Sequence, residues 1–144
     1  MQYIINVDGA SRGNPGPAAA GIVLEPESGD RREIGIYLGQ ATNNVAEYVG
    51  AIVGLKLALK AGATQVVLRS DSELLVRQIS GQYAVKAGHL RGLFMSVKGM
   101  LAQFREYSCE HVPRAENSAA DALANAALDA AAAVPNLTEA GLLF

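Results

Sequence analysis

The hydrophobic period of this sequence changes at Asn44, and that change limits the folds open to the chain. Upstream, residues 2–8 alternate and are rich in β-branched side chains, the run DGASRGNPGP carries a dense turn signal, and 20–26 and 32–39 read as two more strands around the turn PESGD. This is the pattern of an antiparallel meander. Downstream, Val45, Val49, Ile52, Val53, Leu55, Leu57 and Leu59 recur at helical spacing until Gly62 stops the run. QVVLRSD is a short β-branched run of the buried-strand type, and Leu74, Leu75 and Ile79 after it have helical spacing, so a parallel crossover is expected. Leu93, Phe94, Val97, Leu101 and Phe104 mark a helix over 90–105, YSCEHVP a fifth strand, and NSAADALANAALDAAAA an Ala-rich helix. The expected order is βββαβααβα, an α/β fold.

With 144 residues, half of them apolar, the chain can build one compact core and not two. One domain over 1–134 is expected, followed by a tail at 135–144 after the Ala run at 130–133. Twelve basic against 14 acidic residues leave a net charge of −2, so no global positive field advertises a nucleic-acid partner. The single cysteine, Cys109, excludes a disulfide framework within the chain. The apolar part of MQYIINVDGA is too short for a secretory signal, and no stretch reaches the roughly 20 apolar residues of a membrane span. A cytoplasmic monomer without a membrane partner is the expectation.

Four carboxylates stand at element boundaries. Asp8 ends the first expected strand and Asp71 the fourth, while Glu47 and Asp121 lie in the first turns of the long helix and the last helix. Each alone has an ordinary structural reading. Asp8-Gly9 is a turn pair, Glu47 would complete a capping box begun by Asn44, Asp71 would cap the helix starting near Ser72, and Asp121 would suit a helix dipole. Together they reverse the balance, because three or four carboxylates at close range cannot all stay ionised without a cation. Oxygen-only ligation selects Mg²⁺ or Mn²⁺, the ions that leave positions for water and phosphate. The joint reading is a phosphoryl-transfer metal site.

The segments VDGASRGNPGPAAAG, TNNVAEYVGAIVGL, LRSDSELLVRQISG and PRAENSAADALAN resemble, in order, the four signature segments of type 1 ribonuclease H, over roughly residues 2–130. The resemblance implies a mixed five-stranded sheet of order 3-2-1-4-5, with strands 1–3 antiparallel and helices on both faces. It implies cleavage of the RNA strand of an RNA–DNA hybrid to 5′-phosphate and 3′-hydroxyl ends with two Mg²⁺ ions. Asp8 would bridge the ions, Glu47 and Asp71 would complete the one nearer the leaving oxygen, and Asp121 would hold the other. Backbone atoms of 9–13, including Gly9, Ser11 and Arg12, become candidate 2′-hydroxyl contacts. Asn14, Asn44, Glu47 and Glu73 fall where sugar contacts are expected, and Thr42 and Asn43 where a DNA phosphate is met.

The sequence departs from the family pattern twice. Many relatives carry a histidine on the loop before the last aspartate; here Arg114 takes that register, seven residues before Asp121, and His111 falls in the fifth expected strand as a structural residue. Arginine stays protonated and cannot be a base, but it can fork onto a phosphate, so a substrate or leaving-group role is expected. Second, GQYAVKAGHLRG holds no tryptophan-bearing basic protrusion, only a modest strip of Lys86, His89, Arg91 and Lys98. These departures also resemble family members that accept double-stranded RNA or RNA–DNA junctions. Three rival classes fit less well. A non-catalytic binding module has no need of four acids, and a related 3′ exonuclease would carry an acid where Ala10 stands. A nucleotide loop would not be broken by Pro15 and Pro17.

Overall fold

A computed structural model describes residues 1–133, so the tail expected at 135–144 lies outside the described residues. The elements run β1 (Gln2–Ser11), β2 (Gly16–Pro26), β3 (Arg32–Ala41), α1 (Asn43–Lys60), β4 (Gln65–Ser70), α2 (Glu73–Ile79), α3 (Gly88–Leu101) and β5 (Glu106–His111). A 3₁₀ turn (Arg114–Asn117) then leads into α4 (Ser118–Ala133). The sheet order is β3-β2-β1-β4-β5; β1 pairs antiparallel with β2, β2 with β3, and β4 is parallel to both β1 and β5. The expected element order and topology are both observed.

The sheet is covered on two faces. Alternation along β2 sends Ile22 and Leu24 to the main core with Ile5, Leu55 and Leu68, while Ala19 packs with Ala124 and Leu128 of α4. Because both faces are covered, β2 is buried continuously from Ala18 to Leu24 and does not alternate. Packing also overrides the turn chemistry of the first hairpin. β1 runs on past Asp8 to Ser11, and β2 starts at Gly16 and not at 20, with Ser11 paired to Ala18. The intervening loop is only 12–15.

Two details of α1 differ from the sequence reading. Its N-cap is Thr42, whose hydroxyl accepts from Val45 N at 3.2 Å, so Glu47 is the fifth helical residue and completes no capping box. Its sheet-facing stripe is not the large apolar set either. Ala46, Gly50, Gly54 and Ala58, four residues apart, are buried together with Tyr48 and Leu55, whereas the rest of the apolar set, Val45, Val49, Ile52, Val53, Leu57 and Leu59, are half-buried flanks. Small residues let this helix lie close on β1 and β2. On the opposite face the approach is closer still, for a Cβ on Gly21 would lie 1.9 Å from the Ala120 carbonyl oxygen. Gly21→Ala therefore forces α4 away from β2; we expect a loss of about 1–3 kcal/mol, read as a lower urea midpoint, and an unchanged midpoint would contradict the contact.

Candidate active site

The four carboxylates come from three different kinds of local structure. Asp8 lies inside β1 and is only 6% exposed, because α4 closes over it. Asp71 follows the last residue of β4, and the next residue, Ser72, caps α2 by accepting from Leu75 N. Ser72, and not Asp71, thus does the capping expected from the sequence. Glu47 projects from the second turn of α1 and is 7% exposed, and Asp121 sits in the first turn of α4. Since β1 and β4 are parallel, Asp8 and Asp71 share one edge of the sheet, and the starts of α1, α2 and α4 converge on it.

Carboxylate oxygens of Asp8, Glu47 and Asp71 lie within 4.8 Å of one another. Asp121 lines the same cleft beside this group and is close enough to raise the Asp8 carboxyl. Burial pushes the Asp8 carboxyl up to about 9, with the charge of Glu47 next in weight, then Asp121 and the charge of Asp71. Burial also raises Glu47, to about 8; the Gly9 N–H and the Ser70 hydroxyl donate to it and hold it down, and Asp71 opposes them. Glu47 can come this near because residue 9 is glycine: a Cβ there would lie 2.5 Å from the Glu47 nitrogen.

Among the described residues no cationic side chain pairs with Asp8, Glu47 or Asp71. Arg114, 80% exposed, lines the same cleft, its guanidinium 3.8 Å from Asp121. A compact set of oxygen donors without a paired cation fits a divalent metal ion. The carboxylates open into a cleft of ≈ 400 Å³.

The cleft gathers most of the sequence-predicted residues. Gly9, Ser11, Asn43, Asn44 and Arg114 line it with the four acids. Arg12, Asn14, Thr42 and Glu73 do not. Arg12 reaches the other way, 2.5 Å from Asp129 of α4, and Glu73 is held by Arg77 at 2.7 Å. Asn14 Oδ1 accepts from the Asn43 N–H at 3.0 Å, so it braces the cleft wall from behind. The Ser11 hydroxyl is engaged by the carbonyls of Ala41, at 2.9 Å, and Gly13. His111 ends β5 with its ring Nε2 3.3 Å from the Asp71 carbonyl oxygen.

Four residues near the acids escaped the sequence reading. Ser70 is fully buried and bonds Glu47; Ser72 lines the cleft beside Asp71; Asn125 donates to the Asp121 carboxylate at 3.3 Å. Asn117, 1% exposed, donates to Asp71 Oδ1 at 3.4 Å. Their signal was position alone: Ser70 and Ser72 flank Asp71, and Asn117 and Asn125 stand four residues either side of Asp121 on a helical path.

Known proteins resemble this chain in sequence and fold. A family model described as reverse transcriptase-like matches residues 6–127. The bifunctional protein Rv2228c of Mycobacterium tuberculosis is 48% identical over 134 residues, which are 92% of this chain and 37% of that protein, so the chain spans little more than a third of that relative's length. The solved N-terminal ribonuclease H domain of Rv2228c superposes with a TM-score of 0.85 at 45% identity, covering 89% of this chain and 99% of that one. Ribonuclease HI of Halobacterium salinarum is 46% identical over 85% of this chain and 62% of its own length. LC11-RNase H1, isolated from compost and solved in complex with an RNA/DNA hybrid, gives a TM-score of 0.83 at 39% identity, covering 90% of this chain and 98% of that one. Fold, site and similarity agree, and the chain belongs to the type 1 ribonuclease H family within the reverse-transcriptase-like group.

Proposed function

We propose that this protein is an endonuclease that hydrolyses the RNA strand of RNA–DNA hybrids, leaving 5′-phosphate and 3′-hydroxyl ends, with two Mg²⁺ ions that Mn²⁺ can replace. One observation carries the reading: oxygens of Asp8, Glu47 and Asp71 within 4.8 Å, at the edge of an open cleft. The hybrid bound by LC11-RNase H1 supports the substrate. Asp8, Glu47 and Asp71 would hold one ion, and Asp8 with Asp121 the second. Divalent cations bound there supply the positive charge that a phosphodiester needs when water attacks it.

The chain's own groups orient what the ions neutralise. Gly9 N–H and Ser70 Oγ fix the Glu47 carboxylate, and Asn125 fixes Asp121. Asn43 and Asn44 face the cleft from the start of α1, where Asn44 can meet a ribose hydroxyl and Asn43 a phosphate of the DNA strand. Thr42 accepts from Val45 N, which leaves its hydroxyl proton to give to a DNA phosphate. Gly9, Ser11, Arg12 and Asn14 follow the sugar edge through the first hairpin. Glu73 reaches a sugar by releasing Arg77, a small cost for an exposed ion pair. Arg114, exposed beside Asp121, forks onto a phosphate oxygen near the leaving group in place of the histidine of other members.

The connection from α2 to α3 is residues 80–87. The basic strip is thinner than its sequence: Lys98 Nζ turns inward to the Ile79 carbonyl at 3.1 Å, and Arg91 Nε approaches Val85 O at 3.4 Å. This short grip on DNA favours a side activity on double-stranded RNA or RNA–DNA junctions. No helix among the described residues is long and apolar enough to cross a membrane, and we take the working form to be a cytoplasmic monomer.

Labelled hybrid, double-stranded RNA and single strands incubated with Mg²⁺, Mn²⁺ or EDTA test the reading. Internal cuts in hybrid RNA that vanish in EDTA are expected; metal-independent cleavage, or binding without cleavage under every metal, would overturn it. Arg114→Ala in saturating Mg²⁺ is expected to lower turnover by more than about twofold, and a smaller change removes the arginine from the reaction. Asp8→Asn relieves buried repulsion at nearly constant shape. It should raise the melting midpoint in EDTA by about 3 °C while abolishing both cleavage and the stabilisation that Mg²⁺ gives the wild type.

A further inference from the structure

Asn117 is a polar side chain that the proposed reaction does not use, yet it is almost wholly buried. Its amide nitrogen donates to the Val7 carbonyl at 2.8 Å and to Asp71 Oδ1 at 3.4 Å. The two acceptors fix the orientation, because a flipped amide would set oxygen against both. Its own Oδ1 is buried and has no hydrogen-bond partner among the described residues. A buried, unsatisfied acceptor is costly, so packing alone does not account for an asparagine here; the two donors do.

The placement of those donors is specific. The β1–β4 ladder ends at the pair Val7–Ser70, immediately before Asp8 and Asp71. Asn117 starts from the Val7 carbonyl where that ladder stops and reaches the Asp71 carboxylate, making a side-chain rung across the gap between the two strands. It also ends the 3₁₀ turn that becomes α4, one helical turn before Asp121. One residue therefore touches the strand carrying Asp8, the side chain of Asp71 and the helix carrying Asp121.

We infer that Asn117 is a positioning residue that sets the spacing between the Asp8–Glu47–Asp71 group and Asp121, and so matches the site to its pair of divalent ions. It works as a second layer, orienting a ligand without ligating, and it rests on the metal reading of the four carboxylates. Loss of such a partner costs about 10–100-fold in metal affinity or activity in other sites.

The test is Mn²⁺ binding, followed by the electron paramagnetic resonance signal of the free ion, together with steady-state cleavage of a hybrid by wild type and Asn117→Ala. The expected result is Mn²⁺ affinity lower by about 10-fold or more, with kcat reduced and KM for the hybrid within about twofold of wild type. A variant that melts earlier but keeps wild-type Mn²⁺ affinity and kcat makes Asn117 a structural brace and overturns the inference alone. A wild type that neither binds Mn²⁺ nor cleaves overturns the carboxylate reading and this inference with it. If Asn117→Ala does not fold, ¹⁵N NMR of the wild type decides: the Asn117 side-chain amide should shift on Mg²⁺ addition with the same midpoint as the Asp71 backbone amide. A resonance that stays in place through the titration refutes the role.

Discussion

Carboxylates repel one another, and more strongly where water is scarce; this fold nonetheless brings four of them to one sheet edge, two almost fully buried. Several features elsewhere in the chain serve that arrangement. The parallel β1–β4 pair delivers Asp8 and Asp71 to the same edge, and three helix starts face it with their electropositive ends. Neutral donors surround the acids: the Gly9 N–H and Ser70 on Glu47, Asn125 on Asp121, Asn117 on Asp71. None of these removes the net negative charge. They orient the acids; burial and mutual repulsion hold Asp8 and Glu47 toward their protonated forms, and in the proposed metal site a cation from solution would take the place of those protons.

Much of this was legible in the sequence, for identifiable reasons. Element order followed from hydrophobic period, which depends on local geometry and survives without tertiary information. The four acids were legible as a set because the sequence pattern puts each at an element boundary, although Asp8 lies inside β1 and Glu47 in the second turn of α1. What could not be read was set by contacts distant in sequence. DGASRGNPGP looks like a long turn, yet most of it is strand because α4 covers the small residues of β2. Valines and leucines marked α1 as a helix, but of them only Leu55 is fully buried; alanine and glycine make up most of the rest of its buried face with Tyr48, since hydrophobicity scales reward size and close approach rewards its absence. Asn117 lies 110 residues from Val7, and no local pattern separates a buried amide from an exposed one.

The surroundings of the acids are more individual than the acids themselves. Arg114 stands exposed at the cleft rim, the α2–α3 connection is short, and Lys98 spends its charge on a helix end. In the proposed reaction these groups would meet the nucleic acid first, so breadth of substrate and sensitivity to salt would depend on them, with Arg114 also acting beside the carboxylates.

The small-residue faces of α1 and α4 have one more consequence. Alanine and glycine have no rotamers, so Gly50 and Gly54 let the α1 backbone settle directly onto Val7, Ala20, Ile5 and Ile22 of the sheet, and where Gly21 meets Ala120 backbone rests nearly on backbone. Larger side chains in those seams would bring alternative χ states and, with them, several shallow positions for each helix. The helices that carry Glu47 and Asp121 have instead a single seat. The active-site frame is thereby held with little side-chain entropy to lose, and the precision of its charges comes from residues that carry no chemistry at all.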